Sequence, residues 1–203
     1  MRLVRLLVDH APSATPTTYA LAALMWLLAA RLPARIDQAG KLRDLFEQDR
    51  SMWDEQLLTE GTLLLDRSAC GDVLSEYHVE AAIAGMHATA GDARETPWGN
   101  ILELYNVLMK IRPSPVVALN RAMAIAQHRG PAKGLDAVRA IEDASRLATY
   151  PFYPAVLGEL ELRSGHAEVA RKHFQEARRL ARNEAERRFL ENRVEECTRK
   201  TLC

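Results

Sequence analysis

The stretch 151-PFYPAVLGELELRSGHAEVARKHFQEARRLAR-182 decides the fold. Two runs with helical periodicity flank Ser164-Gly165-His166. Gly158, Ala170 and Ala177 are small residues at offsets where two antiparallel helices must approach closely. Phe174 is the large residue that fills the space between that pair and the next helix. Gly165 sits at the turn, where the backbone needs a conformation costly for other residues.

With Leu157, these positions fall at the offsets of one tetratricopeptide unit. The preceding residues Val116 to Ile141 share the layout, with Gly130 at the turn and either Gly134 or Leu135 at the small position. Arg187 to Cys197, carrying Phe189, Leu190, Val194 and Cys197, reads as the helix that covers the open end of the stack.

The rest of the chain keeps helical periodicity, and no alternating strand pattern is convincing. Leu3, Leu6 and Leu7 share one face of a short opening helix. Thr15-Pro16 starts a helix that is apolar nearly all round and central to a core; Pro33 ends it, and 34–40 reads as a loop. Ser51-x-x-Asp54 resembles a capping box ahead of the stripe Leu57, Leu58, Gly61, Leu64 and Leu65. Tyr77, Ala81, Ala84 and His87 share a face of the next helix. Thr96-Pro97 and Ser114-Pro115 repeat the cap-plus-proline start. The expected fold is all-α: stacked antiparallel helical hairpins, tetratricopeptide-like, about ten helices in all on ordinary helix and loop lengths. It is read as one helical domain over 1–203, with a first half 1–92 and a tetratricopeptide-like half 93–203. Polar residues Gly91 to Pro97 mark the boundary.

Lys+Arg and Asp+Glu both number 27, so the formal net charge is zero. A protein that lives on nucleic-acid phosphates needs an excess of cations, so no direct nucleic-acid binding is expected. The longest apolar run, Tyr19 to Ala30, is too short to span a bilayer. Asp9, His10, Pro12 and Pro16 interrupt any secretory signal. Three cysteines (Cys70, Cys197 and Cys203) form no C-x-x-C pair, which points away from a disulfide framework and toward the reducing cytoplasm.

Chemistry-bearing motifs are sparse. His78-x-Glu80 has part of the zinc-deaminase signature without its Pro-Cys-x-x-Cys companion. His166 and His173 stand about 10 Å apart along a helix, too far to share a metal. No metal, cofactor or catalytic residue is expected, and the chain is read as a non-enzyme. The densest polar cluster is 47-EQDRSMWD-54. It reads as a loop-to-helix junction with Trp53 packed inward, and were the helix to begin early, Arg50 would pair with Asp54. Its alternative role is an interface anchor, since Trp and Arg are favoured there. Asn120-Arg121 interrupts the apolar stripe from Val116 to Ala126. A guanidinium there snorkels or finds a carboxylate. Asp49, Arg50, Trp53, Asp54, Asn120 and Arg121 are therefore the candidate interaction surface or structural clamp. The arginines 178, 179, 182, 187 and 188 alternate with Glu176, Glu184 and Glu186, as on a solvated, salt-bridged face.

Several stretches together resemble a known family: PARIDQAGKLRDLFEQDRSMWD (33–54), EYHVEAAIAGMHA (76–88), TPWGNILELYNVLMKIRPSPVVALNRAMAIAQHRGPAKGL (96–135) and AERRFLENRVEE (185–196). They are similar to the C-terminal tetratricopeptide-like extension of certain bacterial extracytoplasmic-function sigma factors of RNA polymerase. The resemblance runs from about Leu3 to Glu196. Its most specific parts are Asp49-Arg50-Ser51-x-Trp53-Asp54 and Ser114-Pro115-Val116-Val117-x-Leu119-Asn120-Arg121-Ala122. In that family a promoter-melting domain and a helix-turn-helix domain precede the extension, and neither occurs in this sequence. The resemblance implies a regulatory protein-interaction domain, with the sigma DNA-binding domains and the RNA polymerase core as partners. Two other readings stand beside it. One is a small-molecule sensor or enzyme with a pocket around Asp49, Arg50, Trp53 and Arg121. The other is a helical-repeat scaffold that docks a peptide.

Overall fold

A hydroxyl and the proline after it start two of the helices. In the computed structural model, which describes residues 2–37, 40, 42–92 and 94–201, Thr15 accepts from the Thr18 N–H at 3.2 Å and opens α2 (Pro16–Ala30). Ser114 does the same for α7 (Pro115–Arg129), accepting from Val117 N–H at 3.2 Å. Pro131 opens α8 (Pro131–Arg139). In each case the proline's missing N–H falls among the orphan donors of the first turn. The other helices are α1 (Arg2–Asp9), α3 (Leu32–Arg35), α4 (Glu55–Ser68), α5 (Glu76–Thr89), α6 (Trp98–Ile111), α9 (Phe152–Arg163), α10 (Ala167–Leu180) and α11 (Glu184–Thr201). Among the described residues there is no strand, and the fold is all-α with helical-repeat character.

The local readings need four corrections. Thr96-Pro97 is not a cap-plus-proline start: Pro97 itself is the N-cap of α6, no side chain caps that helix, and the Thr96 hydroxyl donates to Asp92 C=O at 3.0 Å. Pro33 does not end α2, which stops at Ala30; it lies in the first turn of α3, so part of the expected 34–40 loop is helical. Ser51 does not cap α4. It lies in a 3-10 turn over Arg50–Met52, and Asp54 is the cap, accepting from Leu57 N–H at 3.0 Å. Because α4 begins only at Glu55, Arg50 and Asp54 are not one helical turn apart, and Arg50 bonds elsewhere.

The chain forms two compact units, Met1–Asp37 with Arg43–Arg112, and Gln38–Leu42 with Pro113–Cys203. The polar stretch 91–97 lies inside the first unit, because α6 packs on α5. The first unit is built round α2, whose Ala20, Ala22, Ala23, Leu27 and Ala30 are fully buried against α4 and α5. Gly61 on α4 makes that approach possible: a Cβ there would lie 2.9 Å from Leu27 Cγ and 3.3 Å from the Leu27 backbone nitrogen. Helix α1 docks through Val4 and Val8 beside Trp26. The Leu3, Leu6 and Leu7 face of α1 points outward, with Leu3 78% and Leu6 65% exposed.

The second unit is a pair of hairpins, α7–α8 and α9–α10, with α11 laid on α10. Gly130 (φ +94°) and Gly165 (φ +86°) make the two turns. Gly134 takes the small position of the first hairpin, since a Cβ there would overlap Ala126 Cβ at 2.4 Å; Leu135 is core. In the second hairpin a Cβ on Gly158 would sit 3.0 Å from the Phe174 ring, and Phe174 itself is 2% exposed. Phe174 packs with Leu162, Ala170, Ala177, Leu190 and Cys197, so α11 covers the apolar face of α10. The basic run is a salt-bridged surface: Arg178–Glu191, Arg179–Glu176, Arg187–Glu184 and Arg188–Glu184. Cys70 and Cys197 are free thiols; Cys203 lies outside the described residues.

Candidate functional site

The polar cluster of the first unit is organised around one indole. Asp49 opens the 3-10 turn, accepting from the Ser51 N–H at 3.0 Å and Ser51 Oγ at 2.7 Å. Those bonds, the hydroxyl's first, hold its carboxyl below the usual range. The turn swings Trp53 inward, to 4% exposure, while Asp54 stays at the surface as the α4 cap and donates its backbone N–H to Ala30 C=O. The start of α4 is thereby fastened to the end of α2.

Arg50 and Arg31 both lie over the Trp53 ring, their guanidinium carbons 5.1 and 5.3 Å from its centroid. Arg50 also reaches the C-terminal end of α5. It donates to His87 C=O at 2.7 Å, to Ala90 C=O, and to Thr96 Oγ1 at 3.4 Å. Those carbonyls belong to the last turn of α5 and its cap, where the helix itself supplies no donors. Asp92 folds the following loop by accepting from the N–H groups of Arg94 and Glu95. Burial lowers the Arg50 pKa, and the charges of Asp92 and Glu95 oppose that shift.

Arg31 caps the C-terminus of α2. Its guanidinium's hydrogen-bond partner among the described residues is Gln48 Oε1 at a long 3.5 Å. Burial, then the like charges of Arg35 and Arg50, lower its pKa to about 10. His87, 8% exposed, lies edge-on to Trp98, and Trp98 stacks on Phe46. Burial first, then Arg31 and Arg50, push its pKa down to about 4, so it is neutral at neutral pH. Trp53 Nε1 and His87 Nδ1 are buried without a hydrogen-bond partner among the described residues.

Asp49, Arg50, Trp53 and Asp54 are thus neighbours in the first unit. Asn120 and Arg121 lie on α7 of the second, Asn120 exposed and Arg121 half-buried. The sequence reading missed Arg31 and the ring of Phe46 and Trp98, and gave His87 no role beyond its helix face. No local spacing connects them, since they meet only when α2, α5 and the 43–54 segment pack together.

His78 lies in the first turn of α5. It is buried, and its Nδ1 accepts from Ser75 N–H at 3.1 Å in a capping box for α5. Among the described residues, no group of three or more His, Cys, Asp or Glu side chains is placed to hold a metal ion. No helix among them is long and apolar enough to cross a membrane. A cavity of about 220 Å³, also missed in the sequence, opens between α1, α2 and α4. Glu60 stands in its wall, accepting from Trp26 Nε1 and from Arg5, each at 2.8 Å.

Residues 1–69 match a family of unknown function, DUF6596. Over 190 residues the chain is 36% identical to an uncharacterized protein of Rhizobium meliloti (strain 1021), an alignment covering 94% of this chain and 44% of that protein. The chain therefore spans less than half the length of the curated relative it matches. No solved structure matches it.

Proposed function

We propose that the chain is a non-catalytic, cytoplasmic regulatory domain of an extracytoplasmic-function sigma factor, acting on transcription initiation through contacts with the sigma DNA-binding domains or the RNA polymerase core. The observation that carries this reading is the pair of blocks Asp49–Asp54 and Ser114–Ala122, whose order and spacing resemble that extension throughout. Two further facts support it. The net charge of zero suits a module that leaves DNA contacts to other domains. More than half of the Rhizobium relative lies outside the match, which leaves length for such domains there.

Both blocks combine a structural and a displayed part. Trp53 and Arg50 are occupied within the fold, whereas Asp49, Asp54 and Asn120 are exposed and available to a partner. A direct test reads the coding sequence upstream of Met1. An in-frame pair of sigma DNA-binding domains supports the proposal. An upstream stop codon, together with no capture of RNA polymerase or sigma by the purified chain, overturns it. If the protein binds, Asp49→Ala and Arg121→Ala separate surface from clamp. Lost binding at unchanged thermal stability marks the interface, and a large loss of stability marks the clamp.

A further inference from the structure

Arg31, Arg35 and Arg50 bring three positive charges to the junction of α2 with the 43–54 segment. The carboxylates whose charge reaches Arg50 are Asp92 and Glu95. Arg31 is half-buried, and among the described residues its side chain has no ion-pair partner and faces an indole and an amide oxygen at 3.5 Å. A cation withdrawn from water without a countercharge is costly. The half-buried Arg43, by contrast, is paired with Asp37 at 2.9 Å.

An independent observation falls on the same residues. Trp53 Nε1 and His87 Nδ1 are buried with no partner among the described residues. Trp53 Nε1 can only donate, and a neutral imidazole nitrogen can donate in one of its tautomers. A buried donor left unsatisfied is costly, and Trp53 Nε1 belongs to the indole that Arg31 covers.

We propose that Arg31, with Trp53 and His87, receives a carboxylate group from a bound ligand. A planar carboxylate suits the planar guanidinium fork. Its single negative charge matches the single positive charge of Arg31. The neutral His87 accepts that charge without repulsion, and the Trp98 ring, edge-on to His87 and stacked with Phe46, gives the ligand's carbon skeleton an apolar wall. This inference is independent of the regulatory reading, since it concerns a ligand inside the first unit and needs no sigma factor.

The three tryptophans, Trp26, Trp53 and Trp98, give three indole N–H resonances in a nitrogen-15 NMR spectrum of the whole chain. Trp53 is assigned by Trp53→Phe, or by elimination with Trp26→Phe and Trp98→Phe. Acetate, phosphate and chloride are titrated separately near neutral pH at constant ionic strength. The expected result is a saturable downfield shift of the Trp53 resonance with acetate, weaker with phosphate and absent with chloride. Arg31→Gln should weaken the acetate response about tenfold or more, the loss of a charged hydrogen bond. Arg31→Lys, which keeps the charge without the fork, should respond at an intermediate level and stands in should the Gln variant not fold. An unmoved Trp53 resonance, equal shifts with chloride, or an undiminished response in both Arg31 variants overturns the proposal. A stronger response to phosphate overturns the carboxylate assignment.

Discussion

Gly158 in the second unit and Arg50 in the first each bring helical segments together, by opposite physics. Gly158 works by omission. With no side chain it lets the Phe174 ring lie where a Cβ would stand at 3.0 Å, and dispersion and apolar burial hold the hairpin. Arg50 works by reaching, donating to carbonyls at the end of α5 from a turn about forty residues earlier in the chain. The first arrangement repeats: Gly134 against Ala126 and Gly158 against Phe174 are the same device in successive hairpins. Among the described residues the second occurs once, depends on charge, and places a neutral histidine beside two arginines. Stability in the second unit should therefore follow volume, and stability in the first should follow protonation and hydrogen bonding.

The largest expected effect tests the volume side. Phe174→Ala removes a fully buried ring between α9, α10 and α11, and should cost about 3–5 kcal/mol. Urea unfolding followed by circular dichroism would show it as a lowered midpoint. An unchanged midpoint would mean the repeat register does not carry the second unit.

Next comes protonation. His87 has a folded pKa of about 4 against an ordinary 6.5. Its lowered value means the unfolded chain takes up the proton first as pH falls. Stability from the neutral form is complete above about pH 6.5, declines as pH drops toward 4, and changes no further below that. The shift corresponds to about 3 kcal/mol across this window. Unfolding free energies measured through the window should fall accordingly, and His87→Leu should flatten the part of the slope due to this group. His173 in the second unit is shifted in the same direction by burial, so the difference between native and variant slopes is the quantity to read. A slope that His87→Leu leaves intact would break the distinction between the units.

The same contrast explains what could be read in the sequence. The second unit was legible because its determinants are periodic: Gly130, Gly158, Gly165 and Phe174 sit at fixed offsets, and both turn glycines have positive φ. In the first unit α2 was legible from its all-round apolarity and Trp53 from its place behind a polar turn. Arg50 was singled out, but its targets were not, because backbone carbonyls leave no mark in a sequence. Arg31 and the Phe46–Trp98 pair were invisible for a related reason. They come from separate segments joined only by packing. The outward Leu3–Leu6–Leu7 face shows the converse limit: periodicity defines a face without saying which way it turns.

Arg50→Ala should cost about 2 kcal/mol, because it strands the carbonyls of His87 and Ala90. Arg50→Lys should recover little of this, since an ammonium cannot serve several acceptors from one plane. Thermal unfolding of both variants checks this. Full recovery by Lys would make the interaction one of charge alone.

The smallest effect is a control on the comparison itself. Asp54 in the first unit and Ser114 in the second each accept a first-turn N–H, at 3.0 and 3.2 Å, and start a helix in the same way. Capping is local, so it should be indifferent to how the rest of each unit is packed. Asp54→Ala and Ser114→Ala should each cost about 1 kcal/mol. Asp54→Asn should cost almost nothing, because Asn caps as well as Asp. Ser51→Ala is the informative partner. If α4 starts at Asp54, removing the Ser51 hydroxyl should matter much less than removing the Asp54 carboxylate, although Ser51 belongs to the capping-like pattern Ser51-x-x-Asp54. Denaturation midpoints of these variants decide the matter. Equal losses for Ser51→Ala and Asp54→Ala would place the start of α4 earlier and return Arg50 to helical spacing with Asp54. Unequal losses, with matched costs for Asp54→Ala and Ser114→Ala, would confine the difference between the units to their packing.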